Sequence, residues 1–237
     1  MMPNIIFNEN GAFGNTNYGV VRLLLYMVDI NMMSAIERPF FSTRRCIVLP
    51  TEGAPMCSKV GEEHIIFLNA KENYWCQWVY QFAHEYCHHL IDGTLTGEWS
   101  NLLWFEETIC ELSSLYNLNK MIDFCTTNGL PGYSPSVQVY LDNLMTKNNA
   151  YNLDASGGWY LEKSEILKKE KYKRDLYNAI AVMMYPLFVK NPNLWKLILN
   201  IGDIRSWTTL DDLFSYLEAT ADCSYSESLC GLRRMFS

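Results

Sequence analysis

The chain has 237 residues, of which 49% are hydrophobic and 14% aromatic, enough for a sizeable core in one large domain or two small ones. Its net charge of −7 and pI near 5.1 argue against nucleic acid as the main partner. The most hydrophobic stretch, residues 20–36, contains Arg22 and Asp29, so it predicts a core helix and no membrane span. The absence of a recognisable signal peptide and the dispersed cysteines favour a cytoplasmic protein.

The predicted elements change in character along the chain, from a mixture of strands and helices to helices alone. The early elements are a strand at residues 4–8, a turn at 10–17, a helix at 18–36, a strand at 44–49, a loop at 51–61 and a strand at 64–69. The later helices are expected at residues 73–91, 101–128, 136–146, 162–189, 193–200 and 210–219. Pro186 should kink or end the helix at 162–189, because proline removes a backbone donor.

This order predicts an α+β fold that is predominantly α-helical. A catalytic region at residues 1–147 would combine a small N-terminal mixed sheet with the first long helices. A helical C-terminal lobe at residues 148–237 would follow, and the loop at 148–159, rich in Asn, Gly and Ser, is the expected boundary. One compact domain over residues 1–237 is the alternative.

The helix at residues 73–91 contains the string H-E-Y-C-H, which fits the H-E-x-x-H signature of zinc-dependent hydrolases. His84 and His88 are four residues apart, so they lie on one face of the helix, one turn apart. Their neutral imidazoles can bind one Zn²⁺, and Glu85 can act on a metal-bound water. The alternative interpretation is a pair of core histidines bonded to backbone or carboxylates.

A catalytic zinc site needs a third protein ligand. No histidine follows His89, which leaves a carboxylate as the expected ligand. Glu107 and Glu111 lie on one face of the next helix, among apolar residues where an unpaired carboxylate would be unfavourable. A metal ion could satisfy Glu107, and an imidazole N–H could satisfy Glu111, which would then orient that imidazole.

This arrangement resembles the gluzincin metallopeptidases, which include thermolysin and the alanyl aminopeptidases. The residues that carry the resemblance are His84, Glu85, His88 and, after 18 intervening residues, Glu107. The string W-F-E-E is similar to the aminopeptidase pattern W-L-N-E, with Glu106 in the place of asparagine. Glu111 falls where the thermolysin-like pattern has an acidic residue that supports the first metal histidine. The resemblance covers residues 65–118, less than a quarter of the chain.

The resemblance implies a zincin-like core, with the mixed sheet above the metal helix and a helical lobe below it. In that layout the strand at residues 64–69 would be the edge strand that binds an extended peptide by β-addition, an ordinary packed strand being the alternative. An oxyanion-stabilising tyrosine or histidine is also implied, and the lack of a late histidine favours a tyrosine. The candidates are Tyr133, Tyr140, Tyr151, Tyr160, Tyr177 and Tyr185.

One departure from the family concerns recognition of a free amine. Aminopeptidases use a G-A-M-E-N strand, but the nearest string here, N-A-K-E-N at residues 69–73, is separated from His84 by only ten residues. Glu72 is therefore expected to start the metal helix, where a negative charge suits the helix dipole.

The predicted function is zinc-dependent hydrolysis of a peptide bond in a peptide or protein substrate. The predicted Zn²⁺ ligands are His84, His88 and Glu107. Glu85 would be the general base, and Glu111 would fix the tautomer of a metal-binding histidine. The rival interpretations are a degenerate zincin-fold binding or regulatory protein, a zinc hydrolase of a non-peptide substrate, and a structural helical protein with a chance motif.

Other polar residues are given structural interpretations. His89 points about 100° away from His88 and is not an expected ligand, whereas His64 is expected to be structural or to face substrate. The eight cysteines include no C-x-x-C pair, and Cys223 and Cys230 could pair. The basic run at residues 168–174 predicts a solvated helix face because acidic residues interrupt it.

Overall fold

The computed structural model describes residues 5–9, 13–38, 45–92, 101–149, 151–155, 158–170, 173–202 and 207–237. The strands in this part of the chain are β1 (Ile5–Phe7), β2 (Cys46–Pro50), β3 (Met56–Val60) and β4 (Glu63–Leu68). The α-helices are α1 (Tyr18–Ala35), α2 (Trp75–Ile91), α3 (Leu103–Thr127), α4 (Ser134–Asn148), α5 (Gly158–Lys169), α6 (Arg174–Lys190), α7 (Leu210–Thr220) and α8 (Ser226–Arg234). Short 3-10 helices lie at Pro131–Tyr133 and Pro192–Leu199. The predicted α+β class, mostly helical with a small mixed sheet, is confirmed.

The sheet has the strand order β1-β2-β4-β3. β2 pairs in parallel with both β1 and β4, and Cys46 lies opposite His64 in the second of these registers. β3 pairs antiparallel with β4, and Gly61, at φ +61°, lies in the tight turn between them. His64, Ile66 and Leu68 alternate along β4 and are buried, so one face of this strand packs against the helices.

The position of the sheet edge differs from the prediction. The segment expected to be a loop at residues 51–61 contains β3, and β3 lies at the end of the sheet. The strand predicted to be the edge, at residues 64–69, is β4 and is paired on both sides, so that prediction is wrong. None of the five β3 residues is buried, so no hydrophobic alternation marks the strand, and backbone pairing with β4 holds it instead.

Gln81 joins α2 to the end of β4. Its side-chain oxygen accepts hydrogen bonds from the backbone N–H groups of Asn69 and Ala70, at 3.1 and 3.0 Å. Glu72 does not start the helix as predicted, because its φ of 49° is left-handed and the helix begins at Trp75. The sheet and α2 are thus fixed relative to each other by a buried amide.

α1 packs against α2 on the side away from α2's two metal-motif histidines. The side chain of Asn17 caps α1 by accepting from the backbone N–H of Val20. Inside the core, the hydroxyl of Tyr86 donates to Asp29 Oδ1 at 2.6 Å, which satisfies a carboxyl that is only 1% exposed. Burial raises the pKa of Asp29, and the hydrogen bond from Tyr86 opposes that effect.

α3 runs along α2 in close contact. The hydroxyl of Ser113 donates to the backbone oxygen of Ala83 at 3.0 Å, and that of Ser114 donates to the backbone oxygen of Tyr80 at 2.7 Å. These small side chains allow the two helix backbones to approach closely. The separation between α2 and α3 therefore depends on buried hydrogen bonds as well as on apolar packing.

The C-terminal helices depart from the prediction at several places. The helix expected at residues 162–189 is two helices, α5 and α6, and the hydroxyl of Tyr177 in α6 donates to the backbone oxygen of Glu170 just after α5, at 2.6 Å. Pro186 does not end its helix, because it lies within α6, which continues to Lys190. α8 was not predicted, and the segment expected as a helix at 193–200 is a 3-10 helix. The division of the chain at residue 148 stays a prediction.

None of the helices in the described ranges combines the length and the apolar character needed to cross a membrane.

Candidate metal centre

α2 presents the two motif histidines on one face. The rings of His84 and His88 are one turn apart, with centroids separated by 5.2 Å. Their side chains remain 21% and 13% exposed, whereas Tyr86 and Cys87 between them are buried in the core. The amphipathic helix predicted from the sequence thus leaves both imidazoles accessible at its polar edge.

Glu107 approaches both histidines from α3. Its Oε2 lies 3.5 Å from His84 Nε2, and its Oε1 lies 3.6 Å from His88 Nε2. One ligand atom from each of the three side chains lies within 4.8 Å of the others. Two imidazole nitrogens and a carboxylate oxygen form a group that could hold a metal ion.

Glu106 orients His88. Its Oε1 lies 2.7 Å from His88 Nδ1, and the carboxylate is only 3% exposed. This contact leaves Nε2 of the same ring facing Glu107, as a metal ligand requires. The sequence interpretation treated Glu106 only as a replacement for asparagine, although a carboxylate inside the apolar W-F-E-E run was a signal that it has a buried partner.

Glu111, predicted to accept a hydrogen bond from a metal-binding histidine, lies near His84, but its closest partners are other residues. Glu111 Oε2 lies 3.8 Å from His84 Nδ1 and accepts a hydrogen bond from the hydroxyl of Tyr80 at 2.6 Å. Its Oε1 accepts from the side-chain amide of Asn148 at 3.2 Å. Glu111 therefore belongs to a buried polar group that links α2, α3 and α4 behind the first histidine.

The carboxylates and the imidazoles in this cluster favour each other's charged forms. Burial lowers the pKa of His88, but the hydrogen bond to Glu106 and the charge of Glu107 outweigh it and raise the pKa to about 9. Burial also lowers the pKa of His84. The contacts with Glu107 and Glu111 outweigh burial and hold this pKa well above its usual value. Removal from water raises the pKa of Glu107, yet the two histidines bring it down to about 2.

A cavity of about 260 Å³ opens beside His84. Its wall includes Glu85, which is 6% exposed and adjoins the first histidine in sequence. The residues that line it are Pro55, Tyr80, Gln81, His84, Glu85, Glu107, Glu111, Arg174, Tyr177 and Asn178. The predicted base, two of the three predicted ligands and the predicted supporting carboxylate therefore border one space.

α6 contributes a wall that the sequence interpretation missed. Tyr177, one of the six candidate tyrosines, lines the cavity. Arg174, which was assigned to a solvated basic run, lines it as well. The run is interrupted in the structure, because Lys168 and Lys169 end α5 and pair with Glu165 while Arg174 begins α6. Residues 171–172 of the run lie outside the described residues.

His64 and His89 form a separate pair. Their Nδ1 atoms are 2.8 Å apart, and His64 Nε2 lies 3.0 Å from Asp92 Oδ1. Both rings are buried, and neither belongs to the metal-competent group found among the described residues. The pair links β4 to the end of α2, which is a structural role.

The cysteines contribute thiols to the core and surface. All eight are free, including Cys223 and Cys230, which the sequence allowed to pair. Cys87, between the two motif histidines, instead faces Cys110 of α3 in the core. The donors that converge on the candidate metal centre are therefore nitrogen and oxygen atoms.

The sequence matches no protein-family model and no curated protein.

Binding of a divalent metal at pH 7 should release protons, because neighbouring carboxylates raise the pKa of both histidines, that of His88 to about 9, and a metal binds the neutral imidazole. The affinity should therefore rise with pH, up to about pH 9 for the contribution of His88. Titration calorimetry with Zn²⁺ in two buffers of different protonation enthalpy measures the number of protons released. Zinc affinity that stays constant from pH 7 to pH 9, with no proton release, would contradict this expectation.

Glu106→Gln should weaken zinc binding by about 10–100-fold, as is typical when the partner of a metal-binding histidine is changed. Glutamine keeps the size of the side chain but removes the charge that faces His88 Nδ1. Competition with a chromophoric chelator measures the affinity. Glu165→Gln, at an exposed carboxylate on α5, is the matched control and should bind zinc like the parent. Equal affinity in both variants would rule out the orienting role of Glu106.

Proposed function

We propose that the chain is a zinc-dependent peptidase of the gluzincin type. The observation that carries the proposal is the approach of Glu107 to both motif histidines, at 3.5 and 3.6 Å, from a second helix. Two histidines and one glutamate are the protein ligands of catalytic zinc in thermolysin. When bound, Zn²⁺ would supply a Lewis acid that polarises the scissile carbonyl and lowers the pKa of water.

Glu85 is the proposed general base. It lines the cavity next to the ligand group and is nearly buried, so it is shielded from bulk solvent. Glu85 would accept a proton from the attacking water, whose oxygen bonds to the carbonyl carbon, and would pass that proton to the amine as the C–N bond breaks. Glu106 and Glu111 would hold the two imidazoles in the tautomers that leave their Nε2 atoms toward Glu107.

The arrangement of the sheet supports a zincin-like core and a peptide substrate. β3 is an antiparallel strand at the end of a mixed sheet, and Pro55, immediately before it, lines the cavity. The chain just after β4, the neighbour of β3, is hydrogen-bonded to Gln81 of α2, which also lines the cavity. An extended peptide could pair with the outer side of β3 and so run past Glu85. The role expected of the strand at residues 64–69 is therefore proposed for β3.

Removal and return of the metal test the proposal. A chelator should abolish cleavage of a fluorogenic peptide library by the full chain, and Zn²⁺ should restore it, with about one zinc ion per chain by elemental analysis. A protein that holds one zinc ion and cleaves no peptide would contradict peptidase activity. Cleavage that survives complete removal of metal would contradict the role of the metal.

A further inference from the structure

The first two turns of α6 place three side chains on one wall of the cavity. Arg174, Tyr177 and Asn178 are spaced at positions i, i+3 and i+4, so they lie on the same helical face. Arg174 is exposed, and its positive charge helps the two histidines to lower the pKa of Glu107. A cation that lines the same cavity as the ligand carboxylate favours the entry of an anionic group.

The carboxylates around Arg174 are engaged by other residues. Asp175, its neighbour in sequence, accepts a hydrogen bond from the hydroxyl of Tyr151 at 2.8 Å. Glu170 pairs with Lys173 at 3.6 Å. In the cavity, Glu107 faces the two histidines, and Glu111 accepts from Tyr80 and Asn148. The donors of the guanidinium therefore face a space in which nearby acidic groups are already bonded elsewhere.

The part of α6 that carries Arg174 is held at a defined position relative to the ligand group. The side-chain amide of Asn178 donates to Asn148 Oδ1 at 3.4 Å, and Asn148 donates to Glu111, which faces His84. α6 also packs directly against α3, the helix that carries Glu107. This chain of contacts connects the wall formed by α6 to the first motif histidine, as a preorganised binding site requires.

The size of the cavity limits what can lie between Arg174 and Glu85. Its volume of about 260 Å³ is below the roughly 300–1,000 Å³ of pockets that enclose drug-sized ligands. A few substrate atoms beyond the scissile bond fill such a space. A substrate group that ends in a carboxylate suits this lining, because it offers planar oxygens to the guanidinium fork of Arg174.

We infer that Arg174, with Asn178 beside it, forms a subsite for a substrate carboxylate next to the scissile bond. This inference rests on the proposed peptidase function and adds its substrate class. The carboxylate is either the C-terminal group of the peptide, which makes the enzyme act at chain ends, or the side chain of an acidic residue. Arg174 is a binding residue in this scheme and takes no part in proton transfer.

Equilibrium binding to the zinc-loaded Glu85→Gln protein tests the subsite without turnover. Three probes separate the sources of the carboxylate: N-acetyl-trialanine as the free acid, its C-terminal amide, and that amide with glutamate as the last residue. We expect the free acid or the glutamate amide to bind about tenfold or more tightly than the trialanine amide, because charge-assisted hydrogen bonds are strong. Arg174→Gln, added to the same background, should abolish this preference.

A matched control removes a positive charge at the other end of α6. Lys190, the last residue of that helix, lies outside the cavity lining, so Lys190→Gln should keep the preference for a carboxylate, and Arg174→Lys should keep part of it. Equal binding of all three probes, or no binding of any, would overturn the subsite. A preference that persists in Arg174→Gln would overturn the role of Arg174. An equal loss of affinity for the acid and the amide, accompanied by loss of zinc, would also overturn it.

The native protein separates this inference from the proposed function. If it cleaves neither the probes nor the peptide library while its binding preference depends on Arg174, the subsite stands and peptidase activity fails. If it cleaves amides as readily as free acids, with equal KM values, peptidase activity stands and the subsite fails. Thermal unfolding of each variant confirms that it is folded, and Arg174→Met, which also lacks the charge, replaces Arg174→Gln in the comparison if the latter is not.

Discussion

Glu85→Gln is expected to lower kcat for peptide hydrolysis by about 10²–10⁴-fold, which is the usual contribution of a general acid–base residue. Glutamine matches the shape of the nearly buried side chain and keeps it polar, so the cavity wall should be preserved. It offers no carboxylate to accept a proton from water. KM should change little, because Glu85 is proposed to act on the water and on the leaving amine.

Two measurements accompany this comparison. Zinc content should equal that of the parent, since Glu85 is not among the three side chains whose ligand atoms converge. Glu85→Asp retains a carboxylate but moves it by one methylene, and it should keep more activity than the glutamine variant. Unchanged turnover in Glu85→Gln would remove Glu85 from the mechanism, and loss of zinc would instead make it part of the metal centre.

Glu107→Ala is expected to lower zinc affinity by more than the roughly 10–100-fold that follows from changing an orienting partner. The variant loses a ligand atom and also the carboxylate that faces both imidazoles. A zinc concentration 100 times the Kd stabilises a folded protein by about 2.7 kcal/mol, which corresponds to a rise in Tm of about 5–10 °C for a chain of this size. This zinc-dependent rise should disappear in the variant.

Differential scanning calorimetry with and without Zn²⁺ measures the effect. Glu165→Ala is the control, because this carboxylate is 65% exposed on α5 and lies outside the ligand group. The control should show the same zinc-dependent rise in Tm as the parent. Full zinc occupancy and an unchanged rise in Glu107→Ala would show that Glu107 is not a ligand.

The two helices of the candidate metal centre could be predicted because their signals are local. Apolar spacing predicted α2 and α3 to within two residues at each end. The four-residue interval between His84 and His88 defined a shared face, and the lack of a later histidine directed attention to Glu107. The structure brings these three side chains together, because α2 and α3 pack side by side.

Features that depend on tertiary contacts were missed. β3 has no buried residue, so its existence depends on backbone pairing with β4. The break between α5 and α6 carries no proline or glycine, and the hydroxyl of Tyr177 holds the chain there. Arg174 belongs to a run of lysines in sequence, and only the packing of α6 against α3 places it on the cavity wall.

The close packing of α2 against α3 has a kinetic consequence for a bound metal ion. Since His84 and His88 lie on one helix and Glu107 on the other, a bound ion would act as a cross-link between segments separated by 18 residues. Such a cross-link restricts the unfolded chain much as a disulfide does. The two helices could then separate only after the ion dissociates, so the residence time of the ion would set a lower limit to the lifetime of the helix pair.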